Sequence, residues 1–221
     1  MNPHRINPYM KILSVSDEVD PKIYSDSLAE RYSEVAFVLS CGDLPYEYLE
    51  YIICGLNKPL YFVHGNHDLY KKIKQDDTPS YPLGADNLHR KIYRKHGLLL
   101  AGVEGSIKYN RKTKYQYTQG EMWFHVLRLV PGLLFNRLMY GRFLDIFVTH
   151  ASPWGTHEGE DWTHQGIKAF RWLIDTFQPT NHFHGHIHVY RPDTVKETRI
   201  GKTLVINTFQ SRVTEIQTDL E

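Results

Sequence analysis

The stretch "PLYFVHGNHD" (residues 59–68) runs from an apolar and aromatic segment straight into glycine, asparagine, histidine and aspartate. A short apolar run bounded in this way reads as a buried strand whose end carries chemistry. The same grammar recurs along the chain. "MKILSVS" (10–16) leads into Asp17, "VAFVLS" (35–40) into Gly42-Asp43, "GLLLAGV" (97–103) into Glu104-Gly105, and "LDIFVTH" (144–150) closes on His150. Helical patterns alternate with these runs near residues 22–33, 45–55, 119–139 and 164–177, which predicts an α/β fold. "TLVINTFQSRVTEIQT" (203–218) predicts one or two closing strands. In open α/β sheets ligands bind outside the carboxyl ends of strands, so these polar ends are expected to meet in one crevice.

The length of 221 residues predicts a single domain, 1–221, with one sizeable core. Surface insertions are expected at about 69–95 and 105–122, because both are charged and broken by turn-forming residues. A helical cap is expected at about 119–141, with Arg128, Arg137 and Arg142 flanking its Leu, Phe and Met residues. An apolar face toward the core and a lid meeting a lipid-like or partner surface are both consistent with that pattern. With 26 basic and 25 acidic residues, the chain has no global charge that would hold nucleic acid. Only "SIKYNRKTKYQYTQGEM" (106–122), where Lys, Arg and Tyr interleave, has the composition of a strip that tracks phosphates and stacks bases. A solvated hairpin has the same composition. No run is long and apolar enough to predict a spanning helix. The N-terminal residues lack a secretory pattern, and Cys41 and Cys54 lack metal or redox spacing. Two reduced, mostly buried thiols and a cytoplasmic setting are expected.

"HFHGHIHVY" (182–190) adds histidines at every second position: His182, His184, His186 and His188. With the strand ends, this makes Asp17, Asp43, Asn66, His150, His186 and His188 candidate ligands. Mixed Asp, Asn and His donors suit borderline divalent ions such as Mn, Fe, Zn or Ni. Six donors exceed one tetrahedral site and are about enough for two ions sharing a carboxylate. Two ions about 3.5–4 Å apart can clamp a phosphate and activate a hydroxide for in-line attack. Two such ions, two aspartates and a hydroxide leave a surplus of about one positive charge, which suits a phosphate ester anion. His67, beside Asn66 and followed by Asp68, is placed as a general acid whose ring the carboxylate orients.

"CGD" (41–43), "GNHD" (65–68), "THASP" (149–153) and "GHIH" (185–188) resemble the motifs of the calcineurin-like metallophosphoesterase family, in that family's order. The resemblance spans about Lys11 to Asn207. It implies a four-layer αββα sandwich of two mixed β-sheets flanked by helices, and a metal-dependent phosphoesterase, with a diester substrate preferred. By the resemblance, Asp43 bridges two divalent ions, Asn66, His150 and His186 complete one site, Asp17 and His188 serve the other, and His67 is the proton donor. His184 is then expected to end its strand inside the core, and His182 to be structural or at the surface.

Two positions depart from the family pattern. The usual Asp-x-His is Asp17-Glu18-Val19, and valine cannot coordinate a metal. Glu18, Asp20 or water is expected to fill the vacancy, and the first site to bind more weakly. "GDLPY" places Tyr46 where many members carry an acidic residue or Asn, so Tyr46 is a candidate to orient a ligand or contact substrate, with packing in the core an equal alternative. His157, Asp161 and His164 can reach the cleft mouth or lie behind the ligands or at the surface, with His164 a candidate substitute ligand or substrate contact, and Arg212 is a candidate phosphate clamp. The lost ligand keeps a non-catalytic interaction scaffold in view, against which the retained His67 and Asp68 argue. A Mn-dependent nuclease rests on the Lys/Tyr strip alone.

Overall fold

Within a strand, neighbouring side chains point to opposite faces, and this alternation builds the layers of the computed structural model, which describes residues 9–68, 81–110, 114–191 and 193–218. In β1 (Tyr9–Ser16) and β2 (Val35–Ser40), Ile12, Phe37 and Leu39 enter one buried cluster while Leu13, Val15 and Val38 enter another. In β6 (Leu98–Val103) and β9 (Ile146–Thr149), Leu100, Ile146 and Val148 join that first cluster from the opposite side, and Leu99, Ala101 and Phe147 enter a third. The first cluster is therefore the seam between two sheets.

One sheet runs β13 (Gln210–Gln217), β1, β2, β3 (Leu60–Phe62), β4 (Ala85–Asn87). The other runs β11 (Glu197–Ile200), β12 (Thr203–Asn207), β10 (Asn181–His184), β9, β6, β5 (Ile92–Lys95). Pairing is parallel except where β13, β11 and β5 add antiparallel edges, so both sheets are mixed. Helices α1 (Leu28–Arg31) and α2 (Tyr46–Leu56) cover the outer face of the first sheet. Helices α3 (Gln119–Leu127), α4 (Val130–Tyr140) and α5 (Lys168–Phe177) cover the outer face of the second. The result is the four-layer αββα sandwich. Among the described residues no helix is long and apolar enough to cross a membrane.

Several elements differ from expectation. The helix expected at 22–33 shrinks to the four residues of α1, because Asp20 Oδ1 accepts from the Lys22 amide (2.9 Å) and Ser25 Oγ donates to the Lys22 carbonyl (2.9 Å). Such local side-chain bonds compete with helix formation. Residues 69–80 of the first expected insertion lie outside the described residues, but its remainder is not only loop: β4 and β5 extend both sheets. The half-exposed Ala-Asp-Asn of β4 carries no apolar alternation; pairing with β3 places it, and Ala85 packs against the cluster under α2. The insertion expected at 105–122 contains a small parallel ribbon, β7 (Ser106–Ile107) with β8 (Gln116–Tyr117). The helical stretch breaks at Arg128–Leu129 rather than at Pro131-Gly132. Pro131 lies in the first turn of α4, where its missing N–H costs nothing. Cys41 is buried as expected, but Cys54 is exposed on α2.

Candidate metal centre

Because β1, β2 and β3 run parallel, their carboxyl ends emerge together as Asp17, Gly42-Asp43 and the segment 64–68. On the facing sheet β9 and β10 end together at His150 and Gly185-His186. The main chain is locked across the gap: the Gly185 amide donates to the His150 carbonyl (2.9 Å), and the His186 amide donates to both Asp17 oxygens (3.0 and 3.1 Å). Asp17, Asp43 and His186 all adopt left-handed backbone (φ 66°, 60° and 67°), a conformation uncommon for residues with a side chain. Strain of this kind is held at functional sites by the surrounding structure. Two glycines make the close approach feasible. A Cβ on Gly65 would lie 2.1 Å from Asp43 Oδ1, and one on Gly185 would lie 1.9 Å from Ser16 Oγ.

Ligand atoms of Asp43, His150 and His186, all buried, lie within 4.8 Å of one another. The other ring nitrogen of each histidine has its own anchor. His150 Nδ1 donates to the Cys41 carbonyl (2.7 Å), which turns Nε2 toward Asn66 Oδ1 (2.9 Å) and Asp43 Oδ2 (3.4 Å). His186 Nε2 donates to the Thr163 carbonyl (2.9 Å), leaving Nδ1 as its free lone pair. Carbonyl anchoring of this sort fixes the tautomer that a metal ligand needs. The donor set therefore fits a borderline divalent cation. Burial alone would push His150 down, but the Asp43 carboxylate outweighs it and raises the ring to about 9. Burial also acts to raise Asp43, yet His150 and the His67 amide (2.7 Å from Oδ1) hold its carboxyl well below the usual range. Asp17, equally deep, is raised by burial.

A second set lies at the rim. His188 Nε2 is 3.9 Å from Asp17 Oδ1; its Nδ1 bonds the Tyr190 hydroxyl (3.0 Å), which donates to Glu18 Oε1 (2.9 Å). That chain leaves the lone pair of His188 facing Asp17. His67 is exposed, and its Nε2 lies 3.3 Å from the Tyr109 hydroxyl, which also accepts from Asn66 Nδ2 (3.0 Å).

Residues 10–190, most of the chain, match the family of calcineurin-like phosphoesterases. The chain belongs to that family. An uncharacterized protein of Methanocaldococcus jannaschii is 27% identical over 90% of this chain and 88% of its own length. Solved structures share the fold at lower identity. TT1561 of Thermus thermophilus superposes with a TM-score of 0.57 at 15% identity, over 94% of this chain and 98% of that one. Phosphopantetheinyl hydrolase of Mycobacterium tuberculosis reaches 0.50 at 12%, over 92% and 90%. Membership of the calcineurin-like phosphoesterases implies divalent metal binding and metal-dependent hydrolysis of phosphoesters.

Within this phosphoesterase, several site residues stand elsewhere than expected. Asp68 does not orient His67: its Oδ2 accepts from the Gly65 amide (3.0 Å) and meets His64 Nδ1 (3.2 Å), deep under the loop. Tyr46 bonds the same His64 nitrogen (3.2 Å), so it braces the loop from beneath. Asp20 does not face the centre, since its oxygens take the Lys22 amide and the Ser211 hydroxyl. Glu18 is linked to His188 through Tyr190, and Val19 stands partly exposed. His164 leans on His186 (ring centroids 5.0 Å apart) and is held by Asp161 (2.7 Å). Arg212 pairs with Glu197. His182 and His184 are fully buried: His182 bonds the Thr149 hydroxyl (2.8 Å) and His184 bonds His157 (2.9 Å). Sequence reasoning missed Tyr109. It lies in the Lys/Tyr strip, whose composition points to surface, and only folding brings it to Asn66 and His67.

Proposed function

We propose that the chain hydrolyses phosphodiesters with the help of two divalent ions, both of which Asp43 would help to hold. Asn66, His150 and His186 would hold one ion, and Asp17 and His188 the other. The observation that carries this reading is the convergence of three buried, carbonyl-anchored or amide-anchored ligands beside one exposed histidine. When bound, the ions supply Lewis acidity toward phosphoryl oxygens and acidify a water.

The remaining roles belong to the protein. Asp43 ties the site to the proton donor, because its Oδ1 accepts the His67 amide and so fixes where that residue stands. His67 holds a proton on Nε2 beside the Tyr109 oxygen and passes it to the departing alcohol. Asn66 offers an oxygen without adding negative charge, which preserves the small positive surplus that a diester monoanion matches. Asp68, His64 and Tyr46 hold the segment 64–68 rigid from below.

The test is hydrolysis of bis-p-nitrophenyl phosphate and p-nitrophenyl phosphate with Mn²⁺, against a chelated sample and Asp43→Asn. Turnover that needs metal, is lost in the variant and favours the diester supports the reading. Preference for the monoester overturns the diester assignment, and no turnover with any divalent ion overturns the catalytic one.

A further inference from the structure

Helix α4 has apolar side chains where solvent should be. Its inner side places Leu133 in the core cluster of the second sheet, and Asn136 donates to the Phe143 carbonyl (2.9 Å). The opposite stripe should then be polar. Instead it carries Leu134, Phe135 and Leu138, with Met139 beside them, and all are more than half exposed. Leu138 stands clearest, at 82% exposure. Phe124 and Leu127 on α3, also at least half exposed, extend the apolar surface across the break between the helices. An apolar surface of this kind on a soluble fold marks a place where something binds.

The charges around it say what. Arg142 is paired with Asp145 (2.8 Å), and Glu121 stands at the start of α3, but between Met122 and Leu144 the chain carries Arg128 and Arg137 among the apolar residues with no carboxylate. Arg128 lies over the Phe124 ring (5.5 Å), Arg137 over Phe143 (5.7 Å), and Arg94 from β5 over Tyr140 (4.5 Å). Cations are thus interleaved with the apolar residues while the whole chain is nearly neutral. A second copy is a poor occupant. A two-fold interface sets a patch against itself, so Arg128 and Arg137 would meet a second apolar, arginine-bearing surface rather than an acidic one. A bilayer surface with anionic headgroups meets both halves of the pattern. Its headgroups pair with guanidiniums, and its acyl boundary takes Leu, Phe and Met. The helices are too short to span, so the fit is to a protein lying on the membrane.

We propose that α3 and α4 form a docking surface for anionic lipid bilayers. This surface is built from residues outside the metal centre and is independent of the reaction assigned there. The full chain is mixed with vesicles of phosphatidylcholine plus phosphatidylglycerol, or of phosphatidylcholine alone, and floated on a density gradient at low and high salt. Flotation is expected with the anionic vesicles at low salt, weakening as salt rises. Arg128→Gln and Arg137→Gln should each weaken it about fivefold. Phe135→Glu with Leu138→Glu, both on the exposed stripe, should abolish it while the circular dichroism spectrum stays unchanged. Three results overturn the proposal: no flotation with anionic vesicles, flotation unaffected by the double variant, or a dimer by light scattering that the double variant dissolves.

Discussion

His67 and Tyr109 make the finest distinctions in the site. A proton donor matters most when the leaving group is a poor one. His67→Ala is therefore expected to slow an alkyl phosphodiester by roughly 10² to 10⁴-fold, and to slow a nitrophenyl ester far less, because nitrophenolate leaves without a proton. Equal losses on both substrates would assign His67 to something other than proton transfer. Tyr109→Phe removes the hydroxyl that joins Asn66 to His67. It is expected to lower kcat about tenfold, on the scale of one neutral hydrogen bond, with KM little changed. Val19 is the other telling residue. With valine in place of the usual histidine, and Glu18 engaged through Tyr190 to His188, calorimetric titration with Mn²⁺ is expected to resolve one tight and one weaker ion. Two equal affinities would show that the loss is fully compensated.

At the scale of elements, the site depends on loops tightened until glycine is needed. The main chain at Gly65 passes so close to Asp43 that a Cβ there would overlap the carboxylate at 2.1 Å. Gly65→Ala should therefore cost both metal affinity and folding stability, read together as a lower Tm and a smaller Mn²⁺-induced rise in Tm. A variant with the same Tm and the same metal response would mean the loop moves freely. The strand ends that carry this chemistry were legible in the sequence, because a buried strand must be apolar and its terminus need not be. The flanking elements were less so. β4 is placed by its pairing with β3 more than by any apolar pattern of its own, and α1 was shortened by serine and aspartate side chains that offer the main chain another partner.

At the scale of the whole molecule, buried histidines set the response to acid. Burial pushes His182 and His89 down to about 3, so both are neutral in the folded state near neutrality. In the unfolded chain each titrates near its ordinary value of about 6.5. A depressed folded value means stability is whole above about 6.5 and is lost as pH falls from there toward 3. The slope is at most about 1.4 kcal/mol per pH unit for each ring. Urea midpoints measured from pH 7 to 4 should fall, and more shallowly in His182→Gln; parallel curves would exclude this ring as a source of the slope. Alone, the sequence determined the layered α/β fold and the ligand candidates. Apolar alternation dictates which faces are buried, and parallel strands bring their polar ends to one edge. Tertiary structure alone decided which neighbours those ends would have. Tyr109 reached His67, Asp68 turned under the loop to His64, and Glu18 was linked to His188 through Tyr190, because such contacts join residues on separate elements. Sequence spacing reports which face a residue occupies, whereas its partner is chosen by how two sheets pack.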